Sequence, residues 1–181
     1  MDDKIKQLGL DKIIPLDDMP NIDLYMDQVI QLFENTYGET KRSEDEKILT
    51  KTMINNYAKG KVFFPIQNKK YSKEHLILLS LIYQLKGALS INDIKLTLEG
   101  LNSQSKDMSI EDFYTSYLQL FEASIERFYE DFAQKTADVK QVANHKDSDY
   151  LEKALLITTL VSTSNFYRRA AEKLIDELGE S

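Results

Sequence analysis

The chain predicts a mainly α-helical fold with one small β-hairpin wing, followed by a long C-terminal helical pair. Three observations carry that prediction. Only three prolines and six glycines punctuate 181 residues, and apolar residues between them recur at helical spacings of three and four. A single stretch, "KVFFP" at residues 61–65, is rich in strand formers. Beyond residue 108 come two long periodic runs, each without proline.

The elements follow in order. Pro15 and Pro20 frame a non-helical lead-in. Asn21 is a cap-type residue, and "IDLYMDQVIQLFENTYG" predicts a first helix. Leu24, Tyr25, Gln28, Leu32 and Phe33 lie near one stripe, and Gly38 stops it. The charged run "ETKRSEDEK" reads as a linker. Thr50 caps a short helix, "KTMINNYAKG", closed by Gly60. "KVFFP", the polar turn "QNKK" and Tyr71 suit a small hairpin, with Pro65 confined to an edge. Ser72 opens the next helix, where Leu76, Leu79, Ile82, Tyr83 and Leu85 make a broad apolar face ending at Gly87. Ser90 and Asp93 form a capping box for "INDIKLTLEGL".

After Gly100 and the linker "LNSQSKDM", Ser109 caps a long helix. Its stripe is Ile110, Phe113, Tyr117, Phe121, Ile125, Phe128 and Phe132. The polar run "NHKDSD" breaks it. A last helix, from Asp149 to about Leu178, carries Ala154, Ile157, Val161, Ala171, Leu174 and Leu178. At about 1.5 Å per residue these two helices are each roughly 45 to 50 Å long, matched as an antiparallel pair.

Composition bounds the function. A hydrophobic content of 42% and a charged content of 29% suit a folded protein. No cysteine is present, which excludes disulfides, thiolate nucleophiles and Cys-based metal sites. The opening Met1-Asp2-Asp3-Lys4-Ile5 lacks a secretory pattern, and the apolar run Ala154–Val161 falls far short of the roughly 20 residues that span a bilayer. The expectation is a soluble cytoplasmic protein without membrane contact. The net charge of −7 hides an asymmetry: residues 41–96 hold 11 Lys/Arg against 5 Asp/Glu, whereas the segments before and after are acidic. Residues 49–76 alone carry six lysines and one glutamate.

Helix, linker, short helix, basic hairpin, helix and short helix together resemble the winged helix-turn-helix of MerR-type regulators. The likeness rests on Thr50, Ile54, Tyr57, Val62 and Phe63 in "LTKTMINNYAKGKVF". It continues through Tyr71, Ser72, Leu76, Leu79, Ser90, Ile91, Asp93, Ile94 and Lys95. The N-terminal half, including "MPNIDLYMDQV" and "ILTKTMINNY", is similar to a bacterial family of uncharacterised proteins, domain of unknown function 1836, itself regarded as MerR-like. The resemblance implies a MerR-like winged helix-turn-helix domain over residues 1–100. Residues 101–181 would form a helical hairpin for dimerisation or effector binding. Where MerR proteins present an arginine and a tyrosine before the central tyrosine, this chain has Asn55 and Asn56.

In such a module the second helix enters the major groove and the wing grips phosphate. Lys51, Thr52, Asn55 and Asn56 fall near the face opposite Ile54, and an asparagine can pair with an adenine edge. Lys59, Lys61, Lys69 and Lys70 are expected on phosphates, with Tyr71 donating to a phosphate oxygen or packing inside; Tyr57 is expected in the core. The expected partners are double-stranded DNA and a second copy, joined through residues 109–178. A pocket among Tyr114, Tyr117, Phe121 and Tyr167 is the place for a small apolar effector.

Catalytic chemistry is not predicted, nor any cofactor. His75 and His145 lack the spacing of metal ligands and read as surface or capping groups. Glu126, Glu130 and Asp131 have no Glu-x-x-His partner and read as a solvated face. The sequence therefore points to a DNA-binding transcriptional regulator. The alternative is an adaptor that keeps the winged fold and binds protein instead.

Overall fold

The computed structural model describes residues 5, 8–103, 109–143 and 149–180. His145 and the residues at 1–4 lie outside them. The fold is mainly helical, with a two-stranded antiparallel sheet and two long C-terminal helices. In chain order the elements are β1 (Leu24–Tyr25), α1 (Met26–Tyr37), α2 (Lys51–Lys59), β2 (Lys70–Tyr71), α3 (Lys73–Leu85), α4 (Ile91–Asn102), α5 (Ile110–Ala143) and α6 (Asp149–Gly179). Among the described residues no helix is long and apolar enough to cross a membrane.

Cap chemistry sets most of these boundaries. The Thr50 hydroxyl accepts from the Met53 amide at 3.1 Å, and the Ser90 hydroxyl from the Asp93 amide at 3.2 Å. The Ser109 hydroxyl accepts from the Glu111 amide at 3.2 Å. The first helix departs from expectation, because it starts at Met26 and not near Asn21. Leu24 and Tyr25 are extended and pair with Tyr71 and Lys70. The Gln28 side chain then accepts from the Tyr25 amide at 2.9 Å and closes the helix start.

The partner of β2 also differs from the hairpin read in "KVFFP". Val62 and Phe63 are buried without forming a strand, and β2 pairs with a segment from the other end of α1. A tight turn remains at 67–70, where the Lys70 amide donates to the Gln67 carbonyl at 2.9 Å. Its two central residues, Asn68 and Lys69, have φ of 50° and 59°. That is the signature of a type I′ turn, which Asn-Gly ordinarily fills.

The main core gathers α1, α2, α3, α4 and the start of α5 around α3, which is buried on nearly every side from His75 to Ile82. A hydroxyl chain crosses this core. Tyr114 donates to the Ile14 carbonyl at 2.8 Å, so it accepts from Ser80 at 3.0 Å, and Ser80 in turn accepts from Tyr37 at 3.4 Å. Burial pushes both tyrosine hydroxyls above their ordinary pKa.

A second, smaller core lies along the helical pair, where Phe132 and Val139 of α5 meet Leu156 of α6. Leu156 and Ile175, the two buried residues of α6, are 19 positions apart and so sit on faces about 100° apart. The apolar residues expected to fill this helix's inner stripe are instead open. Ile157 is 62% exposed, Val161 56%, Leu174 62% and Leu178 57%.

Candidate nucleic-acid interface

Helix α2 divides its residues cleanly. Ile54 and Tyr57 point into the core, which leaves Lys51, Thr52, Asn55, Asn56 and Lys59 exposed along the outer face. Lys51 is not a free cation, because its ammonium lies 2.7 Å from the exposed Asp27 carboxylate at the start of α1. Lys59, Lys61, Lys69 and Lys70 form no ion pair among the described residues.

The end of α2 places Lys61 by an unusual route. Sequence reasoning gave the closing role to Gly60, but Gly60 keeps a right-handed φ of −72°. Lys61 takes the left-handed position, at φ 54°. The Val62 amide donates to the Tyr57 carbonyl at 3.0 Å and the Lys61 amide to the Ala58 carbonyl at 3.1 Å. This is a Schellman closure whose glycine position is held by lysine. Val62 and Tyr57, the two positions whose apolar contact usually accompanies this closure, are both buried.

Lys69 repeats the device in the 67–70 turn, and Lys70 follows on β2 with its ammonium 5.2 Å from the Tyr25 ring centroid. The strand pairing thus joins the parts: Lys51 touches Asp27, and two residues earlier Tyr25 lies under Lys70. Tyr25, 56% exposed, belongs to this face and was missed because it fits the stripe of the first helix. Only the register of β1 reveals it.

Tyr71 is corrected. It is 1% exposed and packs edge-on against Phe63 and His75, so it is a core residue and does not reach a phosphate. Tyr57 is in the core as expected. His75 is buried and acts as a clamp. The Ser72 amide donates to its Nδ1 at 3.1 Å, which requires an unprotonated Nδ1, and its Nε2–H then donates to the Phe64 carbonyl at 3.2 Å. Burial lowers its pKa, partly opposed by the Phe64 carbonyl and Asp23, so the neutral ring ties residues 61–66 to the start of α3.

Two hollows flank that segment. One, of about 510 Å³, is lined by Asp23, Gln67, Lys70, Glu74 and His75; the other, of about 610 Å³, by Ala58, Lys61, Phe63 and Ile66. They share Phe64, Pro65 and Asn102, so the end of α2 and the 67–70 turn adjoin one continuous relief. The effector pocket does not form as expected. Tyr114, Tyr117 and Phe121 stack in a row along α5 with centroids 6.0 and 5.9 Å apart. Tyr167 lines a different hollow with Arg127 and Asp131.

Residues 14–117 match the family described as Domain of unknown function (DUF1836). The match covers more than half of the chain, and the protein belongs to that family. It runs from the buried Ile14 through both strands and α4 to Tyr117, and so includes Lys51, Lys59, Lys61, Lys69 and Lys70. No curated protein and no solved structure matches the chain.

Proposed function

We propose that this protein is a DNA-binding transcriptional regulator with a MerR-like winged helix-turn-helix, α2 being its recognition helix and the 67–70 turn its wing. One observation carries the reading. A chain of net charge −7 holds four lysines without ion pairs among its described residues, beside an exposed helix face bearing Asn55 and Asn56. Two of those lysines occupy left-handed backbone positions that glycine fills more cheaply. Strain tolerated to present a charge is a mark of use.

In this reading Thr52, Asn55 and Asn56 meet base edges, while Lys59, Lys61, Lys69 and Lys70 hold phosphates; Lys51 joins them by exchanging Asp27 for a phosphate. Residues 1–100 dock on the duplex, and residues 101–181 pair two subunits in the cytoplasm. The open side chains of Ile157, Val161, Leu174 and Leu178 support pairing, since exposed apolar stripes of this kind mark contact surfaces. The chemistry is binding, not catalysis. The test is selection of bound sequences from a random duplex pool by the full-length protein. Enrichment of a two-fold site supports the reading, and failure to enrich any sequence refutes it.

An adaptor function has one observation in its favour. Asp23, Asp27 and Glu74 stand among the lysines and weaken the field that a polyanion would feel. Charge reversal at Lys59, Lys69 and Lys70 separates the two, because it abolishes duplex binding and leaves an adaptor's partner in place.

A further inference from the structure

The geometry points to a small-molecule site on this same face: the hollow between the end of α2 and residues 63–66 binds a small aromatic anion that carries an N–H donor. Three observations meet there. The hollow has about 610 Å³, within the range of sites for drug-sized ligands, and rings of Phe63 and Phe64 with Ile66 give it apolar walls. Among the described residues its charged lining residue is Lys61, which has no ion pair, and no carboxylate lines the hollow. The adjoining hollow, lined by Asp23 and Glu74, repels the same ligand.

The third observation is Asn102, which lines the hollow from α4. Its Nδ2 donates to the Val62 carbonyl at 2.6 Å, so the amide cannot be flipped without setting oxygen against oxygen. Its Oδ1 is buried and has no hydrogen-bond partner among the described residues. A buried acceptor without a donor is costly and rare, and a ligand N–H at this wall satisfies it. The cation, the aromatic walls and the orphaned acceptor therefore specify complementary parts of one ligand. The site stands independently of DNA binding. Its consequence rests on that reading, since Ala58 and Lys61 belong to both surfaces and an occupied hollow competes with duplex.

The probe is 1-anilinonaphthalene-8-sulfonate, an aromatic anion with one N–H, titrated into the full-length protein and followed by fluorescence. Saturable binding at one probe per chain is expected. Ala58→Trp, which fills the hollow from an exposed helix position, and Lys61→Glu each weaken it at least ten-fold. Circular dichroism checks that both variants are folded. Phe166→Asp, at an exposed apolar position of α6, leaves it unchanged, and the N-methylated probe binds at least three-fold more weakly. Affinity that survives both Ala58→Trp and Lys61→Glu, or that is lost in Phe166→Asp, overturns the site; equal binding of the N-methylated probe removes the role given to Asn102. Saturating duplex is expected to weaken probe binding ten-fold. If the probe depends on Ala58 and Lys61 yet ignores duplex, the site stands and the DNA reading fails.

Discussion

Replacing Lys69 by glycine is expected to make the protein more stable and a poorer DNA binder. Lys69 sits at φ 59° as the second central residue of the 67–70 turn, following Asn68 at 50°. An L-residue held left-handed costs about 1–2 kcal/mol, and glycine removes that cost while losing about 0.5–1 kcal/mol through its freer unfolded chain. The net gain is therefore about 0–1.5 kcal/mol, or up to roughly 6 °C in Tm for a chain of this size. On the proposed function the same change removes one phosphate contact, so the slope of log affinity against log salt should become shallower by about 0.9. Urea melts and fluorescence anisotropy across a salt series measure the two effects. Lys69→Gln is the control, because it removes the charge, keeps the strain, and should show the shallower slope with unchanged stability. A Lys69→Gly variant that is less stable, or whose salt slope equals the parent's, refutes the claim that strain here serves charge.

Other consequences follow from the same structure. Ser80→Ala interrupts the hydroxyl chain and leaves the buried Tyr37 phenol without its serine partner, so thermal or urea melts should show a loss of about 1–3 kcal/mol. Because burial holds the His75 pKa below that of the unfolded chain, the unfolded state binds more protons as pH falls. Stability attributable to His75 is then fully present above about pH 6.5 and declines below it, and His75→Gln should flatten that part of a stability–pH curve. Ile157→Asp with Val161→Asp should convert dimer to monomer in sedimentation runs while costing little in the monomer, both positions being more than half exposed. Asn55→Ala should cost about 1–3 kcal/mol on the selected site and little on an unrelated duplex, which paired anisotropy titrations resolve.

How far the fold was legible depends on where the information lies. Caps at Thr50, Ser90 and Ser109 use side-chain oxygens a few residues from their targets, so local sequence suffices. The long helices were equally plain from their spacing. Strand β1 was hidden because Leu24 and Tyr25 fit a helical stripe as well as a strand, and their state is decided by Lys70 and Tyr71, far along the chain. Gly60 misled in a similar way: the closing hydrogen bonds put the left-handed residue one place later, at Lys61. On α6 the apolar residues are real but divide between faces about 100° apart, and only contacts from α5 and α4 determine which of them are covered. Among the proposed contact residues, the exposed face of α2 was legible from Ile54 and Tyr57. The Asp27 pair and the burial of Tyr71 required the fold.

The central claim is that the lysines around α2 exist to hold duplex phosphates. The most direct measurement is the affinity of the intact protein for its selected duplex over a salt series. With Lys51, Lys59, Lys61, Lys69 and Lys70 engaged, the account predicts a slope of roughly −4.5 in log affinity against log salt per subunit, at about −0.9 per phosphate. A flat response, or a slope that survives charge reversal of those five lysines, contradicts it.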